Sequence, residues 1–223
     1  MIQVALQNVN RDYLEANYEQ LLPLLAKQRR EKVLQFKNKE AAFVSMTAGL
    51  LLQQVVQQEL GILPSKLTIA KEDQGKPYIV GADGFFFNLS HSGDYVALAY
   101  GDSPVGIDIE KTNVKDLKVA KRCFAPEEYD YITQGKDDWQ KRFCKIWTMK
   151  ESYLKYTGQG IRVALNSFIV DAERMCVKGK SCRFARWDLE DYILTVCADE
   201  TIDLQNMKQE ILSMHLLSDT EAR

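Results

Sequence analysis

Apolar and polar residues alternate along this chain with a period that switches repeatedly between the helical and the extended value. Ile2 to Leu6 alternates weakly and predicts a short strand, followed by a helix from about Asp12 to Leu22. Pro23 opens a further helical pattern that runs from Leu24 to Phe36. The strongest helix spans Glu40 to Leu60, with Phe43, Met46, Leu50, Val55 and Val56 supplying core contacts and Gly61 the stop. Strand chemistry then takes over at Leu67 to Ala70 and at the turn Gly75-Lys76-Pro77-Tyr78. Phe85 to Leu89, Tyr95 to Tyr100 and Val105 to Glu110 are expected as successive antiparallel strands, separated by Ser92-Gly93-Asp94 and Gly101-Asp102. The second half repeats that order: helices over Pro126 to Thr133 and Asp138 to Thr157, then strands over Ile161 to Val170, Arg183 to Trp187 and Tyr192 to Cys197. Thr201 to Leu217 is expected as a closing helix, and Ser218 to Arg223 as a frayed end. Helices followed by strands, twice over, predict an α+β protein of two lobes, 1–105 and 106–223, each with helices packed on a mainly antiparallel sheet.

Composition changes this picture little. With 223 residues, 46% hydrophobic and 27% charged, the chain can bury a core without help from metals or disulfides. A net charge of -2 lacks the basic excess of a general nucleic-acid binder, so any polyanion it binds should be small. The five cysteines are an odd number without C-x-x-C spacing, which indicates neither a zinc site nor a disulfide framework. Met1 to Gln7 has no basic segment leading an apolar run, and no stretch has the apolar length of a membrane span. A cytoplasmic protein is expected, binding neither nucleic acid nor membrane.

Candidate chemistry begins at Gly106-Ile107-Asp108-Ile109-Glu110. On a strand, Ile107 and Ile109 turn to one face and Asp108 with Glu110 to the other. Two carboxylates about 6 Å apart repel by roughly 3 kcal/mol at an effective dielectric near 20, so a cation is needed to hold them side by side. Mg²⁺ is the natural candidate, and a solvated edge with two ordinary acidic side chains is the alternative.

In the helix around Phe143 to Thr157, Phe143, Ile146, Trp147, Tyr153 and Leu154 form an apolar stripe that includes Lys150, with Glu151 at its edge. A lysine there either snorkels to the surface or meets an anion such as a phosphate. Glu151 and Lys155, four residues apart, could be a surface pair. Ser90 and His91 are adjacent, point apart on an extended chain, and so are not a nucleophile and its base; at a strand end they can donate to a phosphate or simply stabilise a turn. The one basic cluster, Lys27, Arg29, Arg30, Lys32, Lys37 and Lys39, reads as a phosphate clamp or as a solvated helix face.

Five stretches stand in the order and approximate spacing of one family. These are Gly75-Lys76-Pro77, Phe87-Asn88-Leu89-Ser90-His91-Ser92, Gly106-Ile107-Asp108-Ile109-Glu110-Lys111, Phe124-Ala125-Pro126-Glu127-Glu128-Tyr129 and Trp147-Thr148-Met149-Lys150-Glu151-Ser152-Tyr153-Leu154-Lys155. From about Lys27 to Ile161 the chain resembles the surfactin-type (Sfp-type) 4′-phosphopantetheinyl transferases. That resemblance implies a monomer of two pseudo-symmetric lobes with coenzyme A in the cleft between them. It implies transfer of the phosphopantetheine arm to a serine of an apo acyl or peptidyl carrier protein, releasing 3′,5′-ADP. Carried over to this chain, Asp108, Glu110 and Glu151 would hold Mg²⁺, and Lys155 would lie near the same phosphates. Lys76, Pro77, Ser90 and His91, with Lys27, Arg30 and Lys32, would surround the nucleotide, and Lys150 would face a phosphate. Glu128 would take the serine proton, and the carrier would dock near Gly158 to Asn166 and beyond. Ser45 departs from the arginine many members carry near the nucleotide. A non-catalytic binder of coenzyme A or of a carrier protein is the competing reading, and a metal-dependent pyrophosphatase or nuclease a third.

Overall fold

The computed structural model describes residues 1–114, 116–135, 137–160 and 163–199, and the backbone of 202–209. Strand β1 (Ile2–Asn8) is followed by two short helices, α1 (Arg11–Ala16) and α2 (Tyr18–Leu21), and a 3₁₀ turn over Leu22–Leu24. A single helix was expected here. Asn17 interrupts it: its side-chain amide donates to the Tyr13 carbonyl at 2.8 Å, beside its own backbone N–H, an alternative to helix continuation that asparagine offers. Helix α3 (Lys27–Gln35) leads to α4 (Lys39–Leu60), which starts where Asn38 accepts the N–H of Glu40 and ends at Gly61 in the left-handed conformation, φ 67°.

A small hairpin, β2 (Ile69–Lys71) with β3 (Pro77–Ile79), precedes β4 (Phe86–Ser92), β5 (Tyr95–Gly101) and β6 (Val105–Lys111). After β6 come α5 (Lys118–Cys123), α6 (Pro126–Thr133) and α7 (Trp139–Thr157). The remaining strands are β7 (Val170–Asp171), β8 (Cys176–Val177), β9 (Arg183–Leu189), β10 (Tyr192–Ala198) and β11 (Ile202–Gln209). The first sheet has the order β11-β1-β5-β4 and the second β6-β10-β9-β8-β7. The molecule is thus an α+β protein of two lobes with largely antiparallel sheets.

Three further sequence expectations are corrected. β6 does not extend the first sheet after β5 but pairs antiparallel with β10, so the carboxylate strand begins the second lobe's sheet. Within Thr201–Leu217 the described part is a strand, β11, lying parallel to β1; residues 210–217 fall outside the described residues. Of the strand expected over Ile161–Val170, residues 161 and 162 fall outside the described residues, and among the rest only Val170 is in a strand, Val170–Asp171, after a 3₁₀ turn at Leu165–Ser167.

Period-two alternation decides the layering. Val96, Leu98 and Tyr100 face α4 through Met46, Leu51 and Val55, whereas Ala97 and Ala99 face the other way with Ile2, Val4 and Leu6. That second face packs on Val105, Ile107, Ile109, Leu194 and Val196 of the second sheet. The far side of the second sheet is covered by α7, through Ile146, Met149 and Leu154. The layers run α4, first sheet, second sheet, α7. Among the described residues no helix is long and apolar enough to cross a membrane.

Candidate active site

With Ile107 and Ile109 committed to the layer between the sheets, Gly106, Asp108 and Glu110 must face α7. Gly106 sets how near the helix comes. A Cβ at this position would lie 2.0 Å from the Ser152 carbonyl oxygen and 2.3 Å from the Tyr156 amide nitrogen, so only glycine admits the helix backbone. That approach carries Lys155 onto Asp108. Its ammonium donates to Asp108 Oδ1 at 2.7 Å, to Ser90 Oγ at 3.0 Å and to the Ile107 carbonyl at 3.0 Å.

Asp108 is almost wholly buried. Ser90 also donates to its Oδ1 at 2.7 Å, while Oδ2 is enclosed and has no partner among the described residues. Burial raises the pKa of Asp108, against the opposing pull of Lys155 and Ser90. Burial and then the Asp108 charge push Glu110 up to about 7, and the same two causes raise Glu151. Three carboxylates therefore share one field, with the Lys155 ammonium as the cation at hand. Hard oxygen donors and this buried Oδ2 suit a Mg²⁺ ion. As the side chains stand, no three or more His, Cys, Asp or Glu among the described residues are close enough to form a ligand set.

Beside this cluster lies an open cavity of about 590 Å³ between α3, the start of α4 and the end of β4. Phe36, Val44, Ala48 and Leu89 give it apolar walls, Arg11, Arg29 and Lys32 give it positive charge against the Glu40 carboxylate, and His91 adds an imidazole. Arg29 is half-buried: its guanidinium pKa is lowered by burial, and its side-chain partner among the described residues is the Ser45 hydroxyl at 3.5 Å. Burial, then the Lys155 charge, lowers the pKa of His91. Ser90 and His91 diverge as their adjacency requires, Ser90 to Asp108 and His91 toward the cavity. Arg11 bridges Glu40 at 2.5 Å and Asp94 at 2.7 Å at the rim.

Several expected contacts are redistributed. Of the basic helix, Lys32 reaches the cavity but Lys27 and Arg30 do not; Arg29 and Lys32, three residues apart, share the inward side with Phe36, and Lys27 lies on the exposed side. Lys76 donates to the carbonyls of Val105 at 3.2 Å and Tyr156 at 3.0 Å, joining the turn before β3 to the end of α7, and neither it nor Pro77 lines the cavity.

Lys150 does not face a phosphate site. It is fully buried, with its ammonium 2.7 Å from Glu128 Oε1, 2.7 Å from the Leu165 carbonyl and 2.6 Å from the Phe168 carbonyl. The same pairing removes Glu128 as a base: Oε1 also accepts the N–H of Val170 at 2.8 Å, and Oε2 that of Ala125 at 2.9 Å. Its neighbour Glu127 is exposed and pairs with Lys178. Arg11 is the residue that sequence reasoning passed over, and Arg29, though named in the basic cluster, is not picked out there with Lys32 as a nucleotide contact. The helical phase of Arg29 with Lys32 could have singled it out, whereas Arg11 meets partners 29 and 83 residues away and left no local signal.

Comparison with known proteins adds the family. Residues 104–197 match the model of the 4′-phosphopantetheinyl transferase superfamily, and residues 13–102 match that of the 4′-phosphopantetheinyl transferase N-terminal region. The chain is 34% identical over 163 residues to the 4′-phosphopantetheinyl transferase Sfp of Bacillus subtilis (strain 168), covering 73% of each. It is 32% identical over 189 residues to another Bacillus subtilis 4′-phosphopantetheinyl transferase, covering 81% of this chain and 84% of that one. It is also 29% identical over 149 residues to the L-aminoadipate-semialdehyde dehydrogenase-phosphopantetheinyl transferase of Xenopus laevis, covering 60% of this chain and 49% of that one. Two lobes with a carboxylate and lysine cluster beside a cation-lined cavity thus define a group-transfer enzyme, and the chain belongs to the Sfp-type 4′-phosphopantetheinyl transferase family.

Proposed function

We propose that this enzyme moves the 4′-phosphopantetheine arm of coenzyme A to a serine of an apo acyl or peptidyl carrier protein, releasing 3′,5′-ADP, with Mg²⁺ held by Asp108, Glu110 and Glu151. The observation that carries this reading is the buried Oδ2 of Asp108, without a partner among the described residues, in the field of Glu110 and Glu151 and next to a cavity walled by Arg29, Lys32 and His91. The cavity takes the nucleotide: its apolar walls suit the base, and its cations suit the phosphates. A bound Mg²⁺ supplies neutralisation of charge on the pyrophosphate, the main requirement when an oxygen attacks phosphorus that already carries negative charge.

The chain's own residues do the rest. Lys155 shares its charge between Asp108 and the pyrophosphate and aligns the reacting phosphorus. Ser90 holds Asp108 in place. With Glu128 sequestered, Glu151 is the carboxylate of α7 that accepts the serine proton; burial and then the Asp108 charge raise its pKa, which strengthens it as a base. On this reading residues 1–105 form the nucleotide side and 106–223 the metal and carrier side, including Gly158 to Asn166. The enzyme acts as a monomer in the cytoplasm, in keeping with its five unpaired cysteines.

Incubation with coenzyme A, Mg²⁺ and an apo carrier protein, followed by mass spectrometry of the carrier, tests the proposal. Transfer adds the pantetheine arm to the serine. Cleavage of coenzyme A without a modified carrier marks a hydrolase, and binding of coenzyme A with neither product marks a non-catalytic module.

A further inference from the structure

β4 and β6 run side by side in parallel, joined by side chains of β4 in place of a backbone ladder. Asn88 Oδ1 accepts the N–H of Ile107 at 3.0 Å, Ser90 Oγ that of Ile109 at 3.4 Å, and Ser92 Oγ that of Lys111 at 3.1 Å. Each contact spans 19 residues, so the register is constant along the pair. An edge strand would otherwise bury these N–H groups without partners.

A hydroxyl does something here that an amide oxygen does not: it accepts and donates through the same atom. Ser90 accepts from Ile109 and donates to Asp108, and Ser92 accepts from Lys111 and donates to Glu110 Oε2 at 3.0 Å. Each serine thereby ties a backbone N–H of β6 to the carboxylate one residue before it. Asn88 stands opposite Gly106, which has no side chain to orient, and an acceptor suffices there. Ser and Asn thus fall where the opposing strand does and does not present a carboxylate.

Asp108 is held from two sides, by Ser90 and Lys155. For Glu110 the Ser92 hydroxyl is the hydrogen-bond donor among the described residues. We infer that Ser92 is a positioning residue for divalent-cation binding: it fixes Glu110 through Oε2 and leaves the other oxygen to ligate the ion together with Asp108 Oδ2. This rests on the reading of Asp108, Glu110 and Glu151 as the Mg²⁺ ligands.

Mn²⁺ is the probe, because its free form is counted directly by electron paramagnetic resonance without substrate or turnover. Wild type, Ser92→Ala, Ser92→Thr, Asn88→Ala and Asp108→Ala are titrated with Mn²⁺, and their metal-free melting temperatures are measured. Ser92→Ala should bind Mn²⁺ about tenfold more weakly, as loss of a ligand-orienting hydrogen bond does. Ser92→Thr keeps the hydroxyl and should restore affinity. Asn88→Ala breaks the same ladder without touching a carboxylate, and should lower the melting temperature with Mn²⁺ affinity unchanged. Wild-type affinity in Ser92→Ala overturns the inference, as does equal weakening in Ser92→Ala and Asn88→Ala, which would make the ladder merely structural. If wild type binds no more Mn²⁺ than Asp108→Ala, the metal site itself is misassigned and the role of Ser92 falls with it.

Discussion

Lys150 and Glu128 meet in the interior at 2.7 Å, both side chains shut off from solvent and both saturated with further hydrogen bonds. The pair joins α7 to the N-terminus of α6 and, through the Leu165 and Phe168 carbonyls and the Val170 N–H, to the segment leading into β7. Phe168 lies 4.3 Å from the ammonium, a cation–π contact that completes the enclosure. Lys150 and Glu151 are neighbours in sequence with opposite duties, one anchoring α7 from behind and the other placed in the carboxylate field.

Breaking this pair should damage the fold and spare the chemistry. Lys150→Met leaves a buried carboxylate without its cation, and such losses destabilise by about 3–5 kcal/mol. Denaturant unfolding should show a drop of that order, while the folded fraction binds coenzyme A as wild type does. Glu128→Gln should also lower stability and leave single-turnover transfer near the wild-type rate. A rate at least 10²-fold lower in Glu128→Gln, at unchanged stability, would return Glu128 to the role of base.

Gly106→Ala should be among the most harmful small substitutions in the chain. The added Cβ would meet backbone atoms of α7 at 2.0 and 2.3 Å, which no rotamer change can relieve. Helix and strand must separate, and Lys155 and Glu151 would leave Asp108. We expect destabilisation of about 1–3 kcal/mol from overpacking together with loss of most transfer activity. Gly135→Ala gives the contrast: positive φ strains the turn, but the Cβ meets nothing within 4 Å, and transfer should persist.

The long elements were legible because their signals are local. α4 carried a repeated apolar face with a glycine stop, and the strands around Asp108 carried alternation. Asp108 and Glu110 could be assigned to one face from parity alone, and that assignment puts them opposite α7. Partners were harder to foresee. Lys150 in an apolar stripe announced an unusual lysine, but nothing near it in sequence said that its anion is Glu128 and not a ligand. Local propensity also misled at the end of the chain, where β11 gains a parallel partner, β1, some 200 residues earlier; only tertiary structure supplies such pairing.

Phosphate recognition should follow helix phase more than total charge. Arg29→Gln or Lys32→Gln removes a cation from the cavity wall, and each should weaken coenzyme A binding about tenfold or more, a charge-assisted contact being worth roughly 1.5–3 kcal/mol. Lys27→Gln and Arg30→Gln, on the same helix but outside the cavity, should change affinity little. Calorimetry on all four variants decides the matter: uniform losses would mean that α3 acts as a diffuse positive face and that its inward side has no special role.

Glu110 should write its titration into the stability of the metal-free enzyme. Its pKa is raised from 4.5 to about 7, so between those values the folded protein holds a proton that the unfolded chain has released. The contribution to stability is therefore complete below pH 4.5 and is lost as the pH rises through about 7. The full shift corresponds to about 3 kcal/mol. Because Glu110 is partly exposed to solvent, roughly 1–2 kcal/mol is the expected fall between pH 5.5 and 8. Asp108 and Glu151, also raised, act in the same direction. Saturating Mg²⁺ should oppose the trend, since a bound cation favours the ionised carboxylates and stabilises most where they are ionised. Glu110→Gln cannot titrate and should flatten the metal-free profile. Parallel pH profiles for wild type and Glu110→Gln in chelator, measured by urea unfolding, would show that Glu110 titrates as an ordinary carboxylate and that the field drawn around Asp108 is wrong.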